Sequence, residues 1–457
     1  MVKDVKIAYI GGGSRGWAWG FMSDLAVVED MVGSVYLYDI DKEAAKKNEV
    51  IGNRIKHVEG CKAPWDYVAV DTLEEALTGA DFVIISILPG TFDEMDSDVH
   101  EPEKYGIYQS VGDTSGPGGI IRALRTVPMF EEIARMVKKC CKDAWVINYT
   151  NPMTVCVRTL YKVFPEIKAF GCCHEVFGTQ KLLTEALVDQ LGMEFVPREE
   201  IKVNVVGVNH FTWLTKAQYK DIDLYPVYKE FAKKYKDTGY DKIMEENWLN
   251  KMFLSKERVK FDLFLRFGVI AAAGDRHLAE FCPGDWYLKN QEAVEDWKFA
   301  LTTVEFRRKD LKERLERSER LYSGEEEFTL KTTGEEGVQQ IRALLGLTDL
   351  ITNVNIPNLG QIPNLPLNAV VETNACFRAN SLDPIFAGNL PETIEPLVAP
   401  ICNEQERLVE AALNRNLKQA FEVFCLDPNM NLSREDARTL FDTMIESTKE
   451  YLTMYQV

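Results

Sequence analysis

The stretch Val5-Lys6-Ile7-Ala8-Tyr9-Ile10-Gly11-Gly12-Gly13-Ser14-Arg15-Gly16 indicates the fold of the N-terminal half of the chain. Its first six residues are rich in β-branched and aromatic side chains, which predicts a strand. A G-x-G-x-x-G motif follows at once, and the residues from Trp17 to about Val28 have a helical pattern. A second predicted strand, Val35–Tyr38, ends in Asp39. Strand, glycines, helix, strand and acid come in the order of a Rossmann-type dinucleotide-binding fold.

This order predicts an NAD site built from Gly11, Gly13, Ser14, Gly16 and Asp39. Glycines permit a tight turn, and they let backbone N–H groups approach a pyrophosphate at a helix N-terminus. An acid after the second strand suits the ribose hydroxyls of NAD and repels the 2′-phosphate of NADP. The alternative is a glycine-rich loop that binds no ligand.

Four further apolar runs continue the alternation of strands and helices. They are Tyr67–Val70, Asp81–Ser86, Ala144–Tyr149 and Ile167–Phe170. Near-continuous apolar strands are typical of a parallel sheet that helices cover on both faces. We therefore predict an α/β protein with a doubly wound, Rossmann-type parallel sheet in residues 1–198. Residues 199–457 are predicted to form a mostly helical α+β domain for substrate binding and dimerisation, as in lactate and malate dehydrogenases.

Polar residues stand where these predicted strands end. Ser86 closes one strand and is a further candidate for cofactor binding. Asn151 follows another strand and is a candidate for cofactor and substrate binding, although Asn-Pro is also a common turn signal. The glycine-rich segment Val111–Gly119 leads into a predicted helix from Ile120 to Cys141. Such a loop after a sheet strand is typical of a functional loop, and a plain surface turn is the alternative.

The amino-acid composition limits which kinds of molecule the protein can bind. The 457-residue chain is 46% apolar with a net charge of -18, and ten cysteines are scattered without regular spacing. This charge disfavours binding to nucleic acid or to an anionic membrane surface. We find no apolar run long enough to span a membrane and no signal peptide, so we expect a cytoplasmic protein with reduced thiols. An anionic substrate would need local arginines.

Two clusters of reactive side chains follow apolar runs. Cys173 lies in Cys172-Cys173-His174-Glu175-Val176, at a predicted strand-to-helix turn, and His210 lies at a later strand end. A thiolate and an imidazole together are plausible ligands for Mn, Zn or Fe. The second cluster is Asp275-Arg276-His277, and its alternative role is structural, with Asp275 as a helix N-cap.

Several motifs together resemble the NAD- and metal-dependent glycosidases of glycoside hydrolase family 4, which depart from two-carboxylate glycosidase chemistry. The resemblance covers most of the chain in the right order. Besides the glycine-rich start, the matching motifs are Gly116-Pro117-Gly118-Gly119, Thr150-Asn151-Pro152, Cys173-His174-Glu175-Val176, Gly207-Val208-Asn209-His210, Gly274-Asp275 and Val354-Asn355-Ile356-Pro357-Asn358.

The resemblance implies NAD and Mn²⁺ as cofactors, with Cys173 and His210 as metal ligands. In the family the sugar is oxidised at carbon 3, a base removes the proton on carbon 2, the aglycone leaves, water adds and the hydride returns. Asp275 corresponds to the base of some members, whereas others use a tyrosine. His174 follows the metal cysteine, where some members carry an acid that assists departure of the leaving group.

The Cys-His-Glu-Val form of the motif resembles the α-galacturonidase branch of the family. A uronate needs a cation, for which Arg276 and Arg378 are the candidates, with Asn151 and His277 as further substrate contacts. Homo-oligomers, dimers or tetramers, are usual in the family. The alternatives are an α-glucosidase, α-galactosidase or α-glucuronidase of the same family, an NAD-dependent 2-hydroxy-acid dehydrogenase, or a non-catalytic NAD sensor.

Overall fold

The structure is a computed structural model that describes residues 1–240 and 255–455. The helical prediction for residues 224–321 falls partly on 241–254, which lie outside the described residues. Six apolar runs of the first half form parallel strands, as predicted, and strand 82–85 is buried along its whole length. They are β1 Val2–Ile10, β2 Met31–Tyr38, β3 Asp66–Ala69, β4 Phe82–Ile85, β5 Trp145–Asn148 and β6 Lys168–Gly171. Their order in the sheet is β6-β5-β4-β1-β2-β3.

Helices alternate with these strands. They are α1 Trp17–Ala26, α2 Lys42–Ile55, α3 Leu73–Leu77, α4 Phe92–His100, α5 Gly116–Cys140, α6 Met153–Val163 and α7 Glu175–Leu191, with 3₁₀ turns at Pro102–Tyr105 and Arg198–Glu200. The predicted loop Gly116–Gly119 is in fact the first turn of α5, so this helix begins four residues before the predicted start at Ile120. Proline fits there because the first helical N–H groups have no partner within the helix.

The second half of the chain contributes three strands to the same sheet. They are β11 Leu350–Pro357, β12 Val370–Arg378 and β13 Ser381–Pro384. β11 pairs with β6 through Asn355 and Gly171, and the nine-stranded sheet runs β13-β12-β11-β6-β5-β4-β1-β2-β3. The predicted Rossmann-type parallel sheet is therefore confirmed, with an antiparallel extension. The two predicted domains share this sheet, and the division after residue 198 stays a prediction.

A second, antiparallel sheet lies in the other half. It contains β7 Ile201–Val208, β8 Phe211–Tyr219, β9 Ile222–Asp223 and β10 Ile270–Ala271. The helices around it are α8 Leu224–Tyr235, α9 Arg258–Phe267, α10 Asp275–Phe281, α11 Gln291–Trp297, α12 Val304–Ser323, α13 Gly337–Leu344, α14 Glu395–Leu413, α15 Leu417–Phe424 and α16 Arg434–Ser447, with a last 3₁₀ turn at Lys449–Tyr451. Across the two described ranges, we find no helix with both the length and the apolarity needed to cross a membrane.

Aromatic packing fixes α10 against the second sheet. Phe211 and Trp213 of β8 are fully buried, and the Phe211 ring stacks on Phe281 of α10 with centroids 5.0 Å apart. Burying a side chain of this size contributes about 1.5–3 kcal/mol. His210 precedes Phe211, and His277 lies one helical turn before Phe281. This packing therefore places the two imidazoles side by side.

Candidate active site

The glycine-rich loop joins the end of β1 to the start of α1, at the carboxyl edge of the parallel sheet. Gly11 has a φ of +93°, and a Cβ at this position would approach the carbonyl oxygen of Ser86 to 2.0 Å. Only glycine fits such a position. The Ser14 amide donates to the Gly11 carbonyl at 3.0 Å, and Gly16 is the N-cap of α1. The predicted cofactor contacts Gly11, Ser14, Gly16 and Ser86 thus lie on one loop and its neighbouring strand end.

Asp39 holds this loop from the end of β2. The Gly13 amide donates to Asp39 Oδ2 at 2.9 Å, and the Asp41 amide donates to Asp39 Oδ1 at 2.9 Å. A Cβ on Gly13 would lie 2.6 Å from Ala44 Cβ and 2.9 Å from Asp39 Oδ2. The bare backbone at Gly13 and the carboxylate beside it fit a pyrophosphate and a ribose respectively. These residues therefore fit NAD.

Asp113, His210 and His277 form a compact cluster near that edge. One potential ligand atom from each residue lies within 4.8 Å of the other two. The His210 and His277 rings are stacked with centroids 3.8 Å apart. Thr114 Oγ1 donates to Asp113 Oδ1 at 2.7 Å and lies 3.1 Å from His210 Nδ1, so one hydroxyl connects the carboxylate with the imidazole.

The protonation states in this cluster favour a cation. Burial opposes ionisation of Asp113, but Arg122 and the two imidazoles hold the pKa of its carboxyl well below the ordinary range. Burial, and then the neighbouring His277, lowers the pKa of His210 to about 3. Burial likewise lowers the pKa of His277. An ionised carboxylate between two neutral imidazoles is a donor set that Mn²⁺, Zn²⁺ or Fe²⁺ accepts.

Unpartnered polar atoms surround the cluster. In residues 1–240 and 255–455, His277 Nδ1, Asn151 Oδ1 and Arg122 Nη1 are buried and have no hydrogen-bond partner. Asn151 Nδ2 lies 3.5 Å from Asp113 Oδ2, so this predicted substrate contact borders the cluster. Buried polar groups normally have partners, and each exception calls for a ligand, a water or strain. The cluster therefore fits a metal with a polar substrate beside it.

Cys173 was predicted to share a metal with His210, but its thiol is not part of the three-residue cluster. It is buried and hydrogen-bonded to the Asn209 side chain. Glu372 lies close by and accepts from Asn353 Nδ2 at 2.7 Å and from Asn209 Nδ2 at 3.1 Å. Burial, and then the nearby Glu372 carboxylate, raises the pKa of the Cys173 thiol well above the ordinary range. Without a bound metal the thiol is therefore protonated, and a coordinated metal would remove that proton.

His174, the predicted acid, lies at the mouth of the site and is about half exposed. Its Nδ1 lies 2.8 Å from Glu335 Oε1, and its ring lies 6.4 Å from the Trp17 ring. Partial burial alone would lower the pKa of His174, but the hydrogen bond to Glu335 raises it to about 9. The imidazole is thus protonated at neutral pH, as an acid requires.

Glu175 connects the Cys-His-Glu-Val motif to α10. Its Oε2 accepts from the Gly274 amide at 2.7 Å, and its Oε1 lies 3.7 Å from His277 Nε2. Burial opposes ionisation, but the three nearby imidazoles, first that of His277, hold the pKa of Glu175 well below its usual range. Glu175 therefore bonds to the Gly274 turn and lies beside the His277 ring.

Asp275, the predicted base, is fully buried and faces α9. Its carboxylate accepts from the Val259 amide at 3.3 Å and from the Lys260 amide at 3.1 Å, both in the first turn of α9. Gly274, and not Asp275, is the N-cap of α10. Asp275 does have the capping role considered from the sequence, but it caps α9 and not its own helix α10. These contacts leave the carboxylate without access to a substrate in this conformation.

The two arginines predicted to bind a uronate have different surroundings. Arg276 lies beside the cluster, where its Nη1 donates to Thr302 Oγ1. Arg378 is exposed at the end of β12. In the same hairpin, Asn380 accepts from Trp145 Nε1 at 3.2 Å and from Lys168 Nζ at 3.1 Å, and these residues begin β5 and β6. Arg378 is therefore at the sheet edge opposite the glycine-rich loop, and the structure does not bring it to the site.

Sequence reasoning missed several residues of the site. Asp113 carried a signal, because it lies in the Val111–Gly119 segment predicted to be functional. Glu335, Arg122 and Arg307 lie in or beside ordinary helical segments and have no local signal. Their relation to the site depends on tertiary contacts alone.

Comparison with known proteins shows which family the chain belongs to. The model of the Family 4 glycosyl hydrolase matches residues 6–189, and that of the Family 4 glycosyl hydrolase C-terminal domain matches residues 205–430. The chain is 63% identical over 456 residues to an alpha-galacturonidase of Thermoanaerobacterium saccharolyticum, an alignment that covers 100% of this chain and 98% of the relative.

Solved structures of similar proteins have the same fold. The structure of lplD from Bacillus subtilis matches with a TM-score of 0.92 at 54% identity, over 97% of this chain and 100% of that chain. A 6-phospho-beta glucosidase from Thermotoga maritima, solved with manganese, NAD⁺ and glucose-6-phosphate, shares the fold with a TM-score of 0.77 at 22% identity, over 98% of this chain and 99% of that chain. The resemblance read from the sequence is therefore confirmed, and the chain belongs to family 4 of the glycosyl hydrolases.

Proposed function

We propose that this family 4 enzyme hydrolyses α-galacturonides by the oxidation, elimination and water-addition route that the family resemblance implies. The observation that carries the substrate is the 63% identity, over the whole chain, to an alpha-galacturonidase. The Cys173-His174-Glu175-Val176 motif supports the same substrate. A 2-hydroxy-acid dehydrogenase and an NAD sensor are less well supported, because family membership is shown and the site contains a metal-like cluster.

The glycine-rich loop and Asp39 would hold NAD. Bound NAD⁺ supplies a hydride acceptor that is regenerated within each turnover. The absence of a side chain at Gly13 lets the loop pack against Ala44 and Asp39, and the Asp39 carboxylate would exclude a 2′-phosphate by repulsion. Ser86 and Asn151 are proposed to border the cofactor from neighbouring strand ends.

His210, Asp113 and His277 would hold a divalent metal such as Mn²⁺, and Cys173 stays a proposed ligand on the family resemblance alone. A bound metal stabilises negative charge that develops on an oxygen of the substrate. Asn151 places a carboxamide next to Asp113, where it can orient a sugar hydroxyl. His174, protonated by its contact with Glu335, would donate a proton to the leaving oxygen. The base role of Asp275, a homo-oligomeric state and a cytoplasmic location stay predictions.

Release of 4-nitrophenol from 4-nitrophenyl α-D-galacturonide tests this function. The α-galactoside, α-glucoside and α-glucuronide serve as comparisons, each with and without NAD⁺, Mn²⁺ and a thiol reductant. We expect the galacturonide to be cleaved best, only with all three additions, and without net accumulation of NADH. Full activity after removal of NAD⁺ and metal would contradict the proposal, and stoichiometric NADH formation would favour a dehydrogenase.

Cys173→Ser and Cys172→Ser form a matched pair for the metal assignment. Cys172 lies on the same turn, but its thiol donates to Gln340 Oε1 at 3.4 Å and faces away from the cluster. If Cys173 is a ligand, its substitution lowers the Mn²⁺ content measured by mass spectrometry, whereas the Cys172 variant retains the metal. Equal metal content in both variants would remove Cys173 from the ligand set.

A further inference from the structure

Three arginines are close enough to Asp113 to stabilise its charge. They are Arg122 of α5, Arg276 of α10 and Arg307 of α12. Arg122 Nε donates to the Asn151 carbonyl at 3.1 Å and Asp113 is its main opposing charge, while its Nη1 has no partner among the described residues. The other two lie on α10 and α12 and contact a different part of the site.

Arg276 and its neighbours form a closed set of contacts. Ser110 Oγ donates to the Arg276 carbonyl, and the Thr302 amide donates to the Ser110 carbonyl at 2.8 Å. Arg276 Nη1 in turn donates to Thr302 Oγ1. These bonds tie the loop before α5, the start of α10 and the segment before α12 into one wall. The Arg276 guanidinium is therefore held in place.

Arg307 lies in the first turn of α12, directly after this wall. Thr303 caps the helix by accepting from the Phe306 amide at 3.3 Å, and the Arg307 amide donates to the Thr303 carbonyl at 3.3 Å. The Nε of Arg307 is buried without a hydrogen-bond partner among the described residues. A buried guanidinium N–H without a partner is costly unless a ligand accepts from it.

The nearby carboxylates Glu280 and Glu175 accept from backbone amides, although Glu280 Oε2 has no hydrogen-bond partner among the described residues. Glu280 Oε1 accepts from the Val111 amide at 2.6 Å and from the Gly112 amide at 2.8 Å. Glu175 accepts from the Gly274 amide. Arg276 and Arg307 lie close enough to each other for their like charges to interact. The wall therefore has two guanidinium groups, and among the described residues the Nε–H of Arg307 has no acceptor.

We propose that Arg307 and Arg276 together form the subsite that binds the carboxylate of a galacturonide. This inference rests on the proposed function and names the residues that distinguish a uronide from a neutral galactoside. A carboxylate accepts from two guanidinium groups at once and satisfies the unpartnered N–H of Arg307. A neutral hydroxymethyl group in the same place would leave both charges facing each other.

The test compares R307Q with R307K and with R308Q as the matched control. Arg308 is the next residue of the same helix, but it is exposed and its Nη2 donates to Asp93 Oδ1 at 2.7 Å. Binding of D-galacturonate and of D-galactose is measured by calorimetry on protein loaded with NAD⁺ and Mn²⁺. We expect R307Q to weaken galacturonate about ten- to hundred-fold, as for loss of a charge-assisted hydrogen bond, and to change galactose less than twofold.

R307K should recover part of the affinity for galacturonate, and R308Q should match the wild type. Unchanged galacturonate binding in R307Q, or equal weakening of both sugars, would overturn the subsite. Thermal melting and NAD affinity check that R307Q is folded. If R307Q is not folded, the binding comparison is made with R307K. Absence of galacturonide hydrolysis by the wild type would contradict the proposed function, while the binding comparison would still decide the subsite.

Discussion

Replacing Asp275 with asparagine should change how stability depends on pH. The carboxylate is fully buried and accepts from two amides of α9. Burial, and then the neighbouring Glu257 carboxylate, raises the pKa of Asp275 from 3.8 to about 7. The folded protein thus holds this proton more tightly than the unfolded chain does between about pH 4 and pH 7. Stability contributed by this group is present below pH 4 and is lost as pH rises towards 7.

The magnitude follows from the size of the shift. One pKa unit corresponds to about 1.4 kcal/mol, so a rise from 3.8 to about 7 corresponds to at most about 4 kcal/mol of stability lost across this window. Asparagine does not ionise, so it removes this loss. It also turns one accepting oxygen into an N–H₂ group that faces backbone donors, a cap defect of about 1 kcal/mol at every pH. We therefore expect the asparagine variant to be less stable near pH 4 and more stable near pH 8, relative to the wild type.

Urea unfolding of both proteins at intervals from pH 4 to pH 8, followed by circular dichroism, measures this difference. Parallel curves for the two proteins would refute the reasoning, because they would mean that Asp275 does not change its protonation on folding. The same variant tests the base role that the family resemblance implies. A base contributes about 10²–10⁴-fold to rate. A fall in turnover rate of that size, with NAD⁺ and Mn²⁺ still bound, would support the base role. A rate close to that of the wild type would mean that Asp275 serves only as a helix cap.

Three further predictions concern other residues of the site. Asp113→Asn should lower Mn²⁺ affinity about 10–100-fold, the range for lost polar support at a metal site. The variant should also show a smaller rise in melting temperature when Mn²⁺ is added. Equal metal titrations for variant and wild type would contradict this prediction. Glu335→Gln removes the charged partner of His174, so the pKa of His174, read by NMR, should fall from about 9 and the alkaline limb of the rate profile should move to lower pH. An unchanged His174 titration would exclude this coupling. Asp39→Ser should weaken NAD⁺ and improve NADP⁺ binding in fluorescence titrations, because the repelling carboxylate is gone; retained discrimination would count against its role.

The dinucleotide part of the fold was predictable because its signals are local. Residues 5–16 contain a strand and the glycines that its turn requires, and Asp39 follows the next strand. The sheet extension was not predictable in the same way. Residues 353–358 predict a strand edge and residues 369–373 a strand, but the buried polar side chains of Asn353, Asn355 and Glu372 give no sign that β11 and β12 join the parallel sheet. These side chains are tolerated because they bond to one another and to the Cys173 carbonyl across the sheet.

Residue type alone identified His210 and the glycine motif as candidates, and the structure brings His210 into the cluster with Asp113 and His277. The site was not predictable where the direction of a side chain decides its role. The sequence places Asp275 next to Arg276 and His277, but the start of α9 turns its carboxylate away from them. Asp113 lies far from His210 in sequence, and only Thr114, which contacts both, shows why a loop residue belongs with a strand-end histidine.

The charges around Asp113 explain how one carboxylate can serve both a metal and an anionic substrate. The positive charges of Arg122 and Arg307 stabilise its ionised form, and the lowered pKa values of His210 and His277 leave both imidazoles neutral at neutral pH. Because the imidazoles are neutral, their ring nitrogens can accept a cation, and the carboxylate offsets part of its charge. In the proposed subsite the substrate carboxylate meets Arg276 and Arg307, whose positive charges offset the repulsion from Asp113. The net charge of -18 thus does not prevent recognition of an anion, since the cations needed are concentrated inside the site.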